Sequence, residues 1–149
     1  MEVYEYHHTV GFEETNLVGN VYYANYVLWQ GRCREMFLLE HAPSVIDELS
    51  RGLALVTTRV CCDYLREALA FDRLVIEMRL ADLTQNRVTM RFDYQRLQGR
   101  ERVLLARGEQ QIASMRREGE RMVPTPLPLS IREAFTRLAI RVQPVGSGR

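Results

Sequence analysis

The chain has 149 residues, a length that suits one domain built around one hydrophobic core. Apolar residues make up 46% of it and the formal net charge is +1, so it lacks the concentrated basic surplus that nucleic-acid binding favours. No apolar run reaches membrane length, and Met1-Glu2-Val3-Tyr4-Glu5 has neither the basic nor the apolar region of a secretory leader, so a cytoplasmic protein is expected.

Val3–Val10, rich in Tyr, His and Val, predicts a first strand, and a polar loop follows over Gly11–Gly19. From about Val21 to Glu40 the period changes. Tyr22, Tyr26, Trp29, Cys33, Met36 and Phe37 recur at steps of three and four, which is one face of an amphipathic helix. Asn20 or Gly19 is placed to cap its start. Gly31 in its interior predicts a close approach of helix to sheet. Pro43 ends the helix, and Ser44–Leu49 predicts a short second one.

Everything from Leu53 to Met115 looks extended. Val88, Met90, Phe92 and Tyr94 alternate with polar neighbours, as Leu74, Ile76, Met78 and Leu80 do one segment earlier. Turn chemistry at Thr84–Asn86 and Gln98–Arg100 makes consecutive strands antiparallel neighbours. Pro124, Pro126 and Pro128 stop the last strand, a helix is expected over Ser130–Ala139, and Val142–Arg149 is expected to be a disordered tail after a domain spanning 1–141. One long helix among antiparallel strands predicts an α+β class.

All 20 basic residues are Arg, which codon bias in a GC-rich genome explains most simply. Otherwise Arg102, Arg107, Arg116, Arg117 and Arg121 would form a patch for an acidic partner. Cys33, Cys61 and Cys62 fit neither a disulfide framework nor a zinc spacing, so neither a metal nor a cofactor is expected. Cys33 lies on the apolar helix stripe, where a small hydrophobe is expected.

Chemistry concentrates in Phe12-Glu-Glu-Thr-Asn-Leu-Val-Gly-Asn-Val-Tyr-Tyr-Ala-Asn-Tyr26. Asn16 lies three residues before Gly19, and the chain then turns into the helix start. Backbone N–H groups in a first helical turn have no intrahelical partner, and the helix dipole adds positive potential there. An oxygen that becomes negative under nucleophilic attack would be stabilised at that point, so Tyr22 and Tyr23 matter first for their amides.

Asn16–Tyr26 resembles the Asp-x-x-Gly-x-Val-x-x-x-x-Tyr signature of the hotdog thioesterases related to 4-hydroxybenzoyl-CoA thioesterase. The resemblance implies a hotdog fold, an antiparallel sheet wrapped around one long helix, and thioester hydrolysis with the Tyr23 amide polarising the carbonyl. Asn16 stands where that family carries its catalytic Asp, and an amide cannot act as a general base. The longer string through Trp29-Gln-Gly-Arg-Cys-Arg-Glu-Met-Phe37, with Leu53-Ala-Leu-Val-Thr-Thr58 and Arg107-Gly-Glu-Gln110, resembles the thioesterases of enediyne polyketide biosynthesis. That implies a polyene β-ketoacyl substrate on an acyl carrier protein domain of a polyketide synthase, with release of a β-keto acid that decarboxylates to a methyl ketone polyene. It implies catalytic roles for Asn16, Tyr23 and Arg34, and substrate contacts at Gly19, Tyr26 and Thr57. The flanking apolar residues Ala54, Val56 and Val60 instead favour Thr58 as the inward threonine. A housekeeping acyl-CoA thioesterase, which would normally carry Asp at position 16, and a non-catalytic acyl-binding module are the alternatives.

Glu13, Glu14 and Glu35 are the remaining carboxylates for a general base, each expected to be solvated, and His7, His8 and His41 are expected to be structural. A lone hotdog is expected to leave apolar residues uncovered on one sheet face, and the family pairs into dimers with a continuous sheet, so a homotetramer is expected. Tyr23 and Arg34 are eleven residues apart in sequence. On one helix that is roughly 16 Å of axial rise, beyond the reach of one side chain. Arg34 is therefore expected either to contact a more distant part of the substrate, such as the β-keto group or the pantetheine arm, or to serve the neighbour's site across a two-fold interface. The second is preferred because a symmetric dimer supplies such contacts in pairs.

Overall fold

The computed structural model describes residues 3–139, so the expected tail at 142–149 lies outside the described residues. Its elements are β1 (Tyr4–Thr9), a 3-10 turn (Phe12–Glu14), α1 (Ala24–His41), α2 (Val45–Ser50), β2 (Leu53–Tyr64), β3 (Arg73–Leu83), β4 (Arg87–Gln98), β5 (Glu101–Glu118), β6 (Arg121–Pro124) and α3 (Leu129–Ala139). The strands form one antiparallel sheet in the order β1-β3-β4-β5-β2, with β6 paired to the end of β5. α1 lies against one face of this sheet, and the arrangement is the α+β hotdog fold that the sequence predicted.

The core follows from the period-two pattern of the central strands. Leu74, Ile76 and Met78 on β3 and Val88, Met90, Phe92 and Tyr94 on β4 are at most 1% exposed and meet Tyr26, Trp29, Cys33 and Phe37 of α1. Their alternate neighbours face outward. There the expectation of an uncovered apolar face fails, because charge pairs cover it: across strands Arg59 and Arg91 on Glu109, Arg107 on Asp93 and Arg102 on Glu77, and along β3 Arg79 on Glu77. Three of the five arginines of the anticipated patch are engaged locally. Arg102 and Arg107 are spent within the sheet, and Arg116 donates to the carbonyl of Arg51.

Three local predictions are corrected. The helix starts at Ala24, not Val21, because Thr15–Val21 and Asn20–Leu69 bridges and a Val21 N–H bond to the Ala68 carbonyl (2.8 Å) hold the preceding residues extended. Tyr23 takes the cap position with no side-chain cap, so neither Asn20 nor Gly19 caps the helix. Gly31 faces open space. The close helix–sheet approach is instead made at Gly108 of β5, where an added Cβ would collide with Gln30 Nε2 and meet the Cys61 carbonyl at 3.0 Å.

Candidate active site

Glu14 fixes the entry into α1. Its Oε1 accepts from the Gly11 amide at 2.8 Å and from His8 Nε2 at 2.7 Å, and its Oε2 accepts from Trp29 Nε1 at 2.7 Å. Burial pushes this carboxyl up, but the Gly11, His8 and Trp29 donors outweigh it and hold the pKa below the usual carboxylate value. Glu14 is thus a bonded clamp between β1, the 3-10 turn and α1, and not the solvated carboxylate expected from sequence. Its backbone carbonyl accepts from the Tyr22 amide at 3.0 Å and from Asn25 Nδ2 at 2.8 Å.

That last contact sorts the amides of the helix start. The Tyr22 N–H is consumed by the Glu14 carbonyl, while the Tyr23 N–H has no acceptor among the described residues. Two tyrosine hydroxyls secure the same turn from the sheet side. Tyr64 donates to the Tyr23 carbonyl at 2.8 Å and Tyr94 to the Tyr26 carbonyl at 2.6 Å. Burial pushes the Tyr26 and Tyr64 hydroxyls up to about 12, so both are neutral at physiological pH.

Asn16 sits in the loop before the helix. Its Oδ1 accepts from the Val18 amide at 3.0 Å, its own amide bonds the Asn20 carbonyl at 2.9 Å, and Gly19, at φ +92°, closes the turn. With Oδ1 engaged locally, the side chain presents its N–H groups as donors. Asn16, Tyr23 and Tyr26 line one cleft of ≈410 Å3, together with Tyr22, Tyr64 and Arg66. Gly19 lies outside it, lining a separate depression with Phe12 and Leu17. Glu67, which sequence reasoning missed, is a carboxylate on the cleft wall and accepts from Asn20 Nδ2 at 3.4 Å. Tyr64 was missed too, and only its position at the end of a strand beside the helix start brings it in.

Arg34 is elsewhere. It lines a second groove of ≈430 Å3 between α1, α2 and β2, with Leu38, Leu39, Val45, Ile46 and Leu55. The structure therefore brings Asn16, Tyr23 and Tyr26 together within one chain and leaves Arg34 out. Thr57 pairs with Ile112 on the helix side of the sheet, whereas Thr58 turns outward to donate to the Gln111 side chain at 2.9 Å. A bulge between Thr57 and Arg59 shifts the alternation, so Val56 and Val60 point to opposite faces and mislead a period-two reading.

Among the described residues no group of His, Cys, Asp and Glu is arranged to hold a metal ion, and no helix is long and apolar enough to cross a membrane. Cys33 is fully buried, its thiol pushed up by burial, and behaves as core.

A hotdog fold with an open amide at the start of its long helix defines a thioesterase-type site. The thioesterase-like superfamily model matches residues 10–135, and the chain belongs to that family. Among solved structures, the chain is 46% identical to the dynemicin thioesterase, whose crystal structures reveal induced-fit and allosteric effects upon polyene binding; the match covers 93% of this chain and 99% of that one with a TM-score of 0.89. An aspartate-to-asparagine mutant of 4-hydroxybenzoyl CoA thioesterase, complexed with 4-hydroxybenzoyl CoA, is similar at 19% identity over 90% and 99% of the two chains, with a TM-score of 0.80. A 1,4-dihydroxy-2-naphthoyl-CoA thioesterase from Synechocystis matches at 21% identity over 93% and 99%, with a TM-score of 0.79. A search among curated proteins gives no match. The chain is a thioesterase of this family.

Proposed function

We propose that this thioesterase releases a polyene β-ketoacyl chain from an acyl carrier protein domain of a polyketide synthase, in enediyne biosynthesis. Water adds to the thioester carbonyl carbon, the C–S bond breaks, and the carrier's thiol leaves with a proton. The freed β-keto acid then loses CO2 to give a methyl ketone polyene. The observation that carries the reading is the open Tyr23 amide in a cleft shared with the Asn16 side chain. The cleft thus offers two N–H donors to an oxygen that gains charge in the transition state, and such donors are each worth about 3 kcal/mol. Asn16 donates and does not take a proton. Glu67 is a carboxylate on that wall, and in this reading it accepts the proton of the attacking water.

Arg34 joins this site from a second copy. β2 is an edge strand with Val56 and Val60 38% and 40% exposed, a template for pairing with its own copy. Leu55, near one end of β2, lines the Arg34 groove, and Tyr64, at the other end, lines the Tyr23 cleft. Antiparallel pairing of two β2 strands about their middle sets one chain's groove beside the other's cleft. The functional unit is then a dimer, and two dimers make the tetramer. Mass spectrometry of what is released from a β-ketoacyl carrier protein tests the reading. A β-keto acid or methyl ketone, formed faster than acid from the corresponding acyl-CoA, supports it. Turnover of acyl-CoA alone favours a housekeeping role, and no turnover of either favours a binding module.

A further inference from the structure

Arg34 reaches from α1 to the inner face of the sheet, where its Nη1 donates to Oε1 of Gln110 on β5 at 2.6 Å. Gln110 is 4% exposed, and its cross-strand neighbours place it over the β2 edge, level with Val60. Among the described residues no carboxylate lies within ion-pair distance of this guanidinium. Burial lowers its pKa below the ordinary guanidinium value, and the opposing charge comes from Glu35, the next residue along.

A charge partly withdrawn from water, as this one is, ordinarily pairs with an opposite charge. Here the partner is a neutral amide oxygen. It fixes where the guanidinium sits and leaves the charge available. A guanidinium has five N–H donors in a planar fork, so the edge away from Gln110 retains a paired set that matches a carboxylate. The groove wall also carries Arg32 and Glu35, and its apolar part, with Leu38, Val45, Ile46 and Leu55, suits a hydrocarbon chain.

We propose that Gln110 is a positioning residue that holds Arg34 as a fixed, un-neutralised cation, so that Arg34 receives the carboxylate of an acyl-chain acid. This rests on the thioesterase reading, in which such an acid is the product. A glutamine serves where a glutamate would fail, since a glutamate would occupy the same place and neutralise the charge.

Calorimetric titration of the intact protein with decanoate, and with decanamide as its uncharged counterpart, tests this. Wild type is expected to prefer decanoate by about tenfold or more, the scale of one charge-assisted hydrogen bond. Gln110→Glu should abolish the preference while leaving decanamide affinity within about twofold, which also reports an intact groove. Gln110→Leu, which keeps the cation and loses its anchor, should weaken decanoate but retain a preference for it. Arg34→Gln should remove the preference outright. Equal losses in Gln110→Glu and Gln110→Leu would make Gln110 a packing residue and overturn the proposal. An absence of preference in wild type would overturn it as well. Failure of the thioesterase reading would appear in the product-release assay and leave these titrations unaffected.

Discussion

The Tyr64 hydroxyl donates to the carbonyl oxygen of Tyr23 at 2.8 Å, tying the last residue of β2 to the cap position of α1. The residue whose amide is open to the cleft is thereby held from its other side by the edge strand. Tyr64→Phe removes one hydrogen bond, worth about 1 kcal/mol, and keeps the ring. A fall in kcat of about fivefold, with KM little changed, is expected because the carbonyl-polarising amide loses its support while the cleft keeps its shape. Steady-state kinetics on one acyl carrier substrate checks it.

Asn16 contributes donors only. Asn16→Ala should lower kcat by about 100-fold, the cost of one oxyanion-hole donor, with the thermal unfolding temperature lowered only slightly. Asn16→Asp should not restore or improve on wild type, since it replaces the amide N–H donor by an acceptor. Wild-type turnover in a folded Asn16→Ala variant would remove Asn16 from the chemistry.

Glu14 links stability to pH. Its pKa is depressed in the folded state by Gly11, His8 and Trp29, against the opposing effect of burial. A depressed carboxylate stabilises above its unfolded pKa of about 4.3, and the contribution disappears as pH falls through the lower folded value. Glu14→Gln should therefore cost about 2 kcal/mol at pH 7, the scale of hydrogen bonds to a charged group. The gap between variant and wild type should shrink steadily below the ordinary carboxylate range. Urea denaturation at several pH values measures both.

Much of this was legible in sequence because burial imposes a period. β4 alternates Val88, Met90, Phe92, Tyr94 against polar residues because one face meets α1 and the other meets solvent, and that pattern survives folding intact. The helix start was misplaced by three residues because Tyr22 is in phase with the apolar stripe, while the β-bridges that hold Asn20 and Val21 extended come from Leu69 and Thr15, distant in the chain or across the loop. Thr57 was ambiguous because a bulge resets alternation and leaves no mark in composition. Gln110, Tyr64 and Glu67 gained their places only through tertiary contact. Gly108 carried a readable signal, a glycine inside a long strand, which marks a close approach of another element.

The central claim is a site completed by two chains, the Tyr23 cleft of one and Arg34 of the other. Subunits carrying Asn16→Ala are mixed with subunits carrying Arg34→Ala under conditions of verified exchange, and turnover is measured on a β-ketoacyl carrier protein. In a mixed dimer one site receives both defects and the other receives neither, so activity should recover toward a quarter of wild type in an equal mixture, half of the dimers being mixed with one sound site each. Activity that stays at the level of the separate variants, with exchange confirmed, would contradict the shared site and place Arg34 in the service of its own chain.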